Sequence, residues 1–176
     1  MAGKNIILGI TGGIAAYKTP MLVRLLKQAD HEVQVVMSQG ATEFVTALTL
    51  QTLSGQTVRG DVFDAQAESA MDHIDLAKWA DQIIIAPATA HCIAQLAHGF
   101  AGDLLTTLCL ATTAPIVLAP AMNVNMWDNV ATQANVDILQ QRQFGIIGPA
   151  QGEQACGDVG YGRMSEPEQI MQALFA

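Results

Sequence analysis

Apolar positions along this chain fall into two alternating patterns. Short, nearly continuous runs recur at NIILGI (5–10), EVQVVM (32–37), QIIIAP (82–87), PIVLAP (115–120) and FGIIGP (144–149). Runs this short, rich in Ile and Val, predict parallel strands buried on both faces, because a strand with one wet face alternates instead. Between them lie longer stretches with helical spacing, such as Leu22, Leu25, Leu26 and Ala29 after the first run. Strand followed by helix, repeated, predicts an α/β fold: three layers with a doubly wound parallel sheet of the Rossmann-like kind. Residues 50–70 read as irregular, with a short edge strand near Thr57 to Arg59. No linker, repeat or low-complexity tract divides the chain, so one domain, residues 1–176, is expected. In such a sheet ligands bind beyond the carboxyl ends of strands, where the strand order reverses, and the loops after strands are the places to search.

Composition narrows the function classes. A hydrophobic content of 51% over 176 residues is enough for a full core. A formal charge of -8, with 8 Lys and Arg, provides no basic stripe for a phosphate backbone, so nucleic acid is not an expected partner and a small-molecule substrate is. Cys92, Cys109 and Cys156 have neither framework spacing nor a CxxC pair, so disulfides and a zinc site are not expected and a reducing, cytoplasmic setting is. Lys4 and the apolar stretch after it imitate a signal peptide, but Thr11, Gly12 and Gly13 interrupt the run and a helical pattern follows directly. No run approaches the roughly 18 to 20 apolar residues that span a bilayer, and no membrane association is expected.

Four loops after strands carry unusual chemistry. GITGGIAAYK puts Gly12 and Gly13 where the first strand turns into a helix, so free amides there can hold a phosphate, or the glycines can serve only a tight turn. The stretch fits neither GxGxxG nor a Walker A loop. Ser38, directly after the second strand, reads equally as a hydroxyl donor to that phosphate and as a helix N-cap. MDHIDLAKWAD reads as a helix start with Asp72 as N-cap, and His73 opens a stripe continued by Leu76 and Ala80. A lone histidine there is a packing residue, unless a site lies against it, in which case it is a base. APATAHC ends a strand at Pro87 and follows it with Ala88, Thr89 and Ala90, small enough for a planar ring to approach the backbone. APAMNVNMW repeats the design and adds Asn123, either a turn former or an amide able to hold a carboxylate. Met122, Met126 and Trp127 are more often core or interface residues than cofactor contacts. QACGDVGYGRM, residues 154–164, surrounds Cys156 with Gly157, Gly160 and Gly162. It reads as a mobile C-terminal Gly-rich flap, too irregular for helix or strand, with a thiol suited to proton delivery into a closed site.

In this order and spacing, GITGGIAAYK, HIDLAKWAD, APATA, PAMNVNMW and ACGDVGYGRM resemble the flavin-dependent cysteine decarboxylases over nearly the whole chain. PAMN followed by ACGDxGxGRM points to the branch acting on 4'-phospho-N-pantothenoylcysteine. The resemblance implies a sheet in the order 3-2-1-4-5-6 and FMN as cofactor. Gly12, Gly13, Ile14 and Ser38 would meet the FMN phosphate, and Pro87, Ala88, Thr89, Ala90 and Met122 the ring system. It also implies a homo-trimer with FMN between subunits, four of which can form a dodecamer, and a phosphopantothenate-cysteine ligase, fused or separate. The implied reaction oxidises the cysteine moiety transiently, loses carbon dioxide and re-reduces the enethiolate, giving 4'-phosphopantetheine for coenzyme A. His73 matches the base, Asn123 the holder of the substrate carboxylate with Ala155 and Gly157 beside it, and Cys156 the proton donor. The chain departs from the family at His91, where relatives usually have Asn or Asp, and at Gly102 in AGDL. Two other readings stand beside this one: a decarboxylase of peptides ending in cysteine, and a flavin-binding regulatory subunit without activity.

Overall fold

The computed structural model describes residues 3–60 and 73–175. Four strands appear as the apolar runs predict: β1 (Asn5–Ile10), β2 (Glu32–Met37), β3 (Gln82–Ala88) and β4 (Ile116–Pro120). The fifth, β5 (Gly145–Ile146), is shorter than its run, because Gly148 at φ 86° turns the chain away and Pro149 has no N–H for a ladder. All pairings in this sheet are parallel, in the order β2-β1-β3-β4-β5. The edge strand expected near Thr57 to Arg59 is reduced to one parallel bridge between Val36 and Arg59, with Arg59 N donating to Val35 O and Met37 N to Arg59 O. Counting that edge, the positions run 3-2-1-4-5-6. The strand order reverses between β1 and β3.

Successive residues of the central strands feed opposite faces, which is why their sequences do not alternate. Ile7, Ile83, Ile85 and Leu118 join one core with α3 (His73–Trp79), α4 (Ala90–His98), α5 (Leu104–Ala111) and α7 (Val130–Gln141). Ile6, Leu8, Ile10 and Ile84 join the other, with α1 (Thr19–Gln28), α2 (Ala47–Ser54) and α8 (Pro167–Phe175). A short helix, α6 (Val124–Asp128), follows β4. The buried stripe of α1 is Leu22, Val23 and Leu26; Leu25 is half-buried, and Ala29 is the exposed C-cap rather than a core position. Residues 50–54, read as irregular, form the last turns of α2, which ends at Gly55 in the left-handed conformation. The expected N-cap Asp72 and residues 61–70 of the irregular stretch lie outside the described residues.

The expectation that QACGDVGYGRM is neither helix nor strand needs correction. β6 (Ala150–Glu153) and β7 (Val159–Arg163) form an antiparallel hairpin, and Cys156 sits in its turn. Gly157 N donates to Gln154 O at 2.9 Å, Gln154 N donates to Asp158 O at 2.8 Å, and Gly157 takes φ 89°. A turn followed by a left-handed glycine is an ordinary hairpin solution. Gly160 and Gly162 have a packing reason: a Cβ on either would strike Val124 or the Met122 carbonyl, so their absence lets β7 lie against the loop after β4.

Candidate functional site

Hydrogen bonds between loop ends converge the chemistry at the carboxyl edge of the sheet. Thr11, after β1, donates its hydroxyl to Pro87 O at 2.6 Å and accepts from Thr89 N at 3.1 Å. Ala121 N, after β4, donates to Ala88 O at 3.0 Å, and Met122 N donates to Gly162 O at 2.9 Å. The side chain of Gln154 completes the attachment of the hairpin, accepting from Val124 N at 3.1 Å and donating to Met122 O at 3.3 Å. These loops enclose a cleft of about 1160 Å³. It is of the size and position expected for a cofactor with its substrate.

One part of the cleft is a cradle of unbonded amides. Among the described residues, none accepts a hydrogen bond from the amides of Gly12, Gly13 or Ile14, all of which line the cleft. Gly40 closes the cradle from the loop after β2: a Cβ on Gly12 would come within 2.8 Å of the Gly40 carbonyl carbon. Ser38 occupies an N-cap position, yet its side chain makes no capping bond, and it lines the cleft as well. The donor set therefore suits a phosphate. The phosphate of a flavin cofactor fits these residues, because the two loops offer N–H and O–H donors to the cleft and no carboxylate.

Thr89, Ala90 and Met122 line the cleft beyond the cradle, with Leu105 and Met126. Thr89 has a second duty, capping α4 by accepting from Cys92 N at 3.3 Å. Pro87 and Ala88 are fully within the core and do not line the cleft; their carbonyls hold the loops together instead. Asn123 is both a turn former and an amide donor. Its Oδ1 accepts from Asn125 N at 2.8 Å at the start of α6, which aims Nδ2 at the hairpin. There Nδ2 lies 3.4 Å from Cys156 Sγ and donates to Asp158 Oδ2 at 2.7 Å. Ala155 and Cys156 line the cleft, whereas the exposed Gly157 shapes the turn without lining it. His73, half-buried at the start of α3, does not line the cleft of its own chain. His91, on α4, does.

The three thiols differ sharply. Burial, reinforced by Asp103, pushes Cys92 up to about 12, and burial beside Cys92 and Asp103 pushes Cys109 higher still, so both stay protonated. Cys156 is exposed on the hairpin turn. Sequence reasoning assigned no role to Thr11, Gly40, Gln154 or Asp158. Asp158 stood inside the quoted hairpin motif, but a carboxylate two residues from a thiol carries no signal until the turn geometry is known. Among the described residues, no group of His, Cys, Asp and Glu is placed to hold a metal ion, and no helix is long and apolar enough to cross a membrane.

A parallel sheet with a cleft lined by unbonded amides at its topological switch point is an architecture of cofactor-binding proteins, and comparison with known proteins narrows that class. The flavoprotein family model matches residues 1–176, and the chain belongs to that family. It is 61% identical over 172 residues to the coenzyme A biosynthesis bifunctional protein CoaBC of Haemophilus influenzae, covering 98% of this chain and 43% of the relative. The Escherichia coli protein of the same name is 51% identical over 176 residues, again covering 43% of its length. The chain thus spans less than half the length of these curated relatives. Among solved structures, a cysteine-to-serine mutant of PPC decarboxylase complexed with pantothenoylaminoethenethiol superposes with a TM-score of 0.85 at 30% identity, covering 98% of this chain and 96% of that one. The FMN-dependent cysteine decarboxylase SpaF superposes with a TM-score of 0.80 at 29% identity, covering 98% of each chain.

Proposed function

We propose that residues 1–176 form a single flavin-binding decarboxylase domain that converts 4'-phospho-N-pantothenoylcysteine to 4'-phosphopantetheine in coenzyme A biosynthesis, with FMN as its cofactor. The observation that carries this reading is the meeting of Asn123 Nδ2 and Cys156 Sγ at 3.4 Å, in the same cleft as a cradle of unbonded backbone amides. A solved structure supports it: the cysteine-to-serine mutant of PPC decarboxylase is complexed with pantothenoylaminoethenethiol, an enethiol of the kind the proposed last protonation would consume.

A saturated cysteine amide gives the departing carboxylate's electrons no sink, and bound FMN would supply one by removing two electrons from the thiol-bearing carbon and returning them after carbon dioxide has left. The chain's own residues do the rest. Gly12, Gly13, Ile14 and Ser38 hold the phosphate, with Thr89, Ala90 and Met122 against the ring system and the Pro87 and Ala88 carbonyls fixing those loops. Asn123 holds the substrate carboxylate by its Nδ2, with the backbone of Ala155 and Gly157 beside it. His73 removes a proton in the oxidative step, and Cys156 returns one to the carbon that bore the carboxylate. Because His73 does not line its own chain's cleft, it would serve the cleft of a neighbouring subunit, as a homo-trimer with FMN between subunits requires. Four trimers can close into a dodecamer. The same reading places the enzyme in the cytoplasm, with a ligase joining cysteine to phosphopantothenate as a fused or separate partner.

The test is direct. Purified protein should be yellow, release FMN on denaturation, and liberate carbon dioxide from 4'-phospho-N-pantothenoylcysteine. Carbon dioxide from a peptide ending in cysteine, with none from the phosphopantothenoyl substrate, would transfer the site to the peptide-directed reading; bound flavin with neither activity would favour a regulatory subunit.

A further inference from the structure

Two donors meet on one carboxylate oxygen at the tip of the hairpin. Asp158 Oδ2 accepts from Asn123 Nδ2 at 2.7 Å and from Cys156 Sγ at 3.3 Å. Neither contact is accidental in orientation. Asn123 is held by the bond from Asn125 N to its Oδ1, so its donor end is committed to this direction. Cys156 and Asp158 belong to one closed turn, pinned by Gly157 N to Gln154 O at 2.9 Å and Gln154 N to Asp158 O at 2.8 Å, which sets their spacing. The Asp158 side chain is exposed, and nothing else among the described residues donates to its Oδ2.

We propose that Asp158 is a positioning residue whose carboxylate stands in for the substrate's own: it occupies the Asn123 amide in the empty site, gives way to the substrate carboxylate, and returns when that group has left as carbon dioxide, fixing Cys156 beside the reacting carbon. This rests on the decarboxylase reading above and deepens it. Two carboxylates on one amide repel each other, so arrival of the substrate turns the Asp158 side chain off Asn123 and off Cys156 Sγ, while the backbone of Ala155 and Gly157 stays beside the substrate carboxylate. Loss of carbon dioxide leaves the Asn123 donor unpaired. An unpaired donor recovers a partner when the Asp158 side chain turns back, and its contact with Cys156 Sγ then fixes the thiol beside the reacting carbon. The proton then passes from Cys156 Sγ to the carbon that lost the carboxylate, and the thiolate on this exposed turn is reprotonated from water. The electrons that complete the product are those removed in the first step, so no outside reductant enters.

The experiment uses the full FMN-loaded chain and two non-reacting probes: the S-methyl ether of 4'-phospho-N-pantothenoylcysteine, and the same compound with its carboxylate converted to a primary carboxamide. Calorimetric titration should find the acid bound about fivefold more tightly by Asp158→Ala than by wild type, the worth of one exposed charge-assisted bond no longer displaced. The carboxamide should bind both proteins equally. Asp158→Asn, which keeps the shape of the turn and a neutral oxygen for Asn123, should fall between them. In turnover, Asp158→Ala should lower KM and kcat together and release part of its product as the enethiol, because the thiol is no longer held beside the reacting carbon. A residue that merely stabilises the turn would instead weaken both probes alike and raise KM. Equal affinity of wild type and Asp158→Ala for the acid, in a wild-type enzyme that releases carbon dioxide, overturns the proposal alone. A wild-type protein that releases none from the parent substrate overturns the decarboxylase reading, and the proposal with it.

Discussion

Gly12 and Gly13 stand side by side in one turn, yet they answer different constraints. A Cβ on Gly12 would come within 2.8 Å of the Gly40 backbone, so every substitution there disturbs the fold before it touches a ligand. A Cβ on Gly13 meets only Thr89 Cγ2, at 3.6 Å, and its φ of -159° is open to any residue. Gly13→Ala should therefore retain FMN, whereas Gly13→Asp sets a charge against the phosphate and should weaken binding by about 100-fold or more. Fluorescence of released flavin after gel filtration measures both. A yellow, fully loaded Gly13→Asp protein would remove the phosphate from this turn. At Cys156 the substitution that discriminates is serine, which keeps the shape and loses the acidity. Cys156→Ser should still liberate carbon dioxide but leave the enethiol, a product two hydrogens lighter than 4'-phosphopantetheine. His73→Asn should leave the substrate intact. Mass spectrometry separates the two outcomes, and normal product at an undiminished rate from the serine variant would take the proton-donor role from the thiol.

At the scale of elements, the cleft depends on helices that are capped by residues facing it. Asp103 Oδ1 accepts from Thr106 N at 2.7 Å and from Thr106 Oγ1 at 2.6 Å, and Thr106 Oγ1 in turn reaches the Asp103 backbone N–H, closing a capping box at the start of α5. The Asp of AGDL is thus accounted for by helix initiation alone. Asp103→Ala should lower the stability of the fold by about 1 kcal/mol, read as a shift in the urea midpoint at constant slope, and Asn at the same position should recover part of it. A second tie joins α8 to the opposite end of the chain. His31, buried after α1, stacks on Phe175 with centroids 4.5 Å apart and accepts from Lys4 N at 3.0 Å. Burial, and then the nearby Lys4 charge, hold its imidazole below the usual 6.5. The neutral ring is favoured in the fold and the charged ring in the unfolded chain. The stability it supplies is therefore full above pH 6.5 and is lost as the pH falls through the lowered folded value. Melting temperature should drop between pH 7 and 5 by more in wild type than in His31→Gln, which keeps an acceptor for Lys4 N and does not titrate. Parallel drops in the two proteins would sink the assignment.

At the scale of the molecule, the placement of His73 away from its own cleft gives the proposed trimer a test of its own. His73→Asn and Asn123→Asp should each be inactive when expressed alone. Co-expressed, they should regain activity, because roughly a quarter of the shared sites in a randomly mixed ring receive an intact His73 from one subunit and an intact Asn123 from the next. No activity beyond the single variants, with mixed trimers demonstrated by mass, would return both residues to one chain. The sequence by itself determined the sheet and the location of the cleft. Strands buried on both faces leave near-continuous apolar runs, and the bounds of β1 to β4 followed from those runs to within a residue. The loops after those strands line the cleft, and Gly12, Gly13, Asn123 and Cys156 stood out there by residue type, while the roles proposed for them came from the resemblance to the flavin-dependent cysteine decarboxylases. What the tertiary structure decided is everything that depends on two distant segments meeting. Gly160 and Gly162 looked like hinges because glycine in isolation means freedom; their packing against Val124 and Met122 makes them contacts. Pro87 and Ala88 looked like ring contacts, and the fold turns them inward so that their carbonyls do the holding. Asp158 had no readable role until a turn of five residues set its carboxylate between an amide 35 positions away and a thiol two positions away, because a hydrogen bond depends on distance in space and leaves no periodicity along the chain.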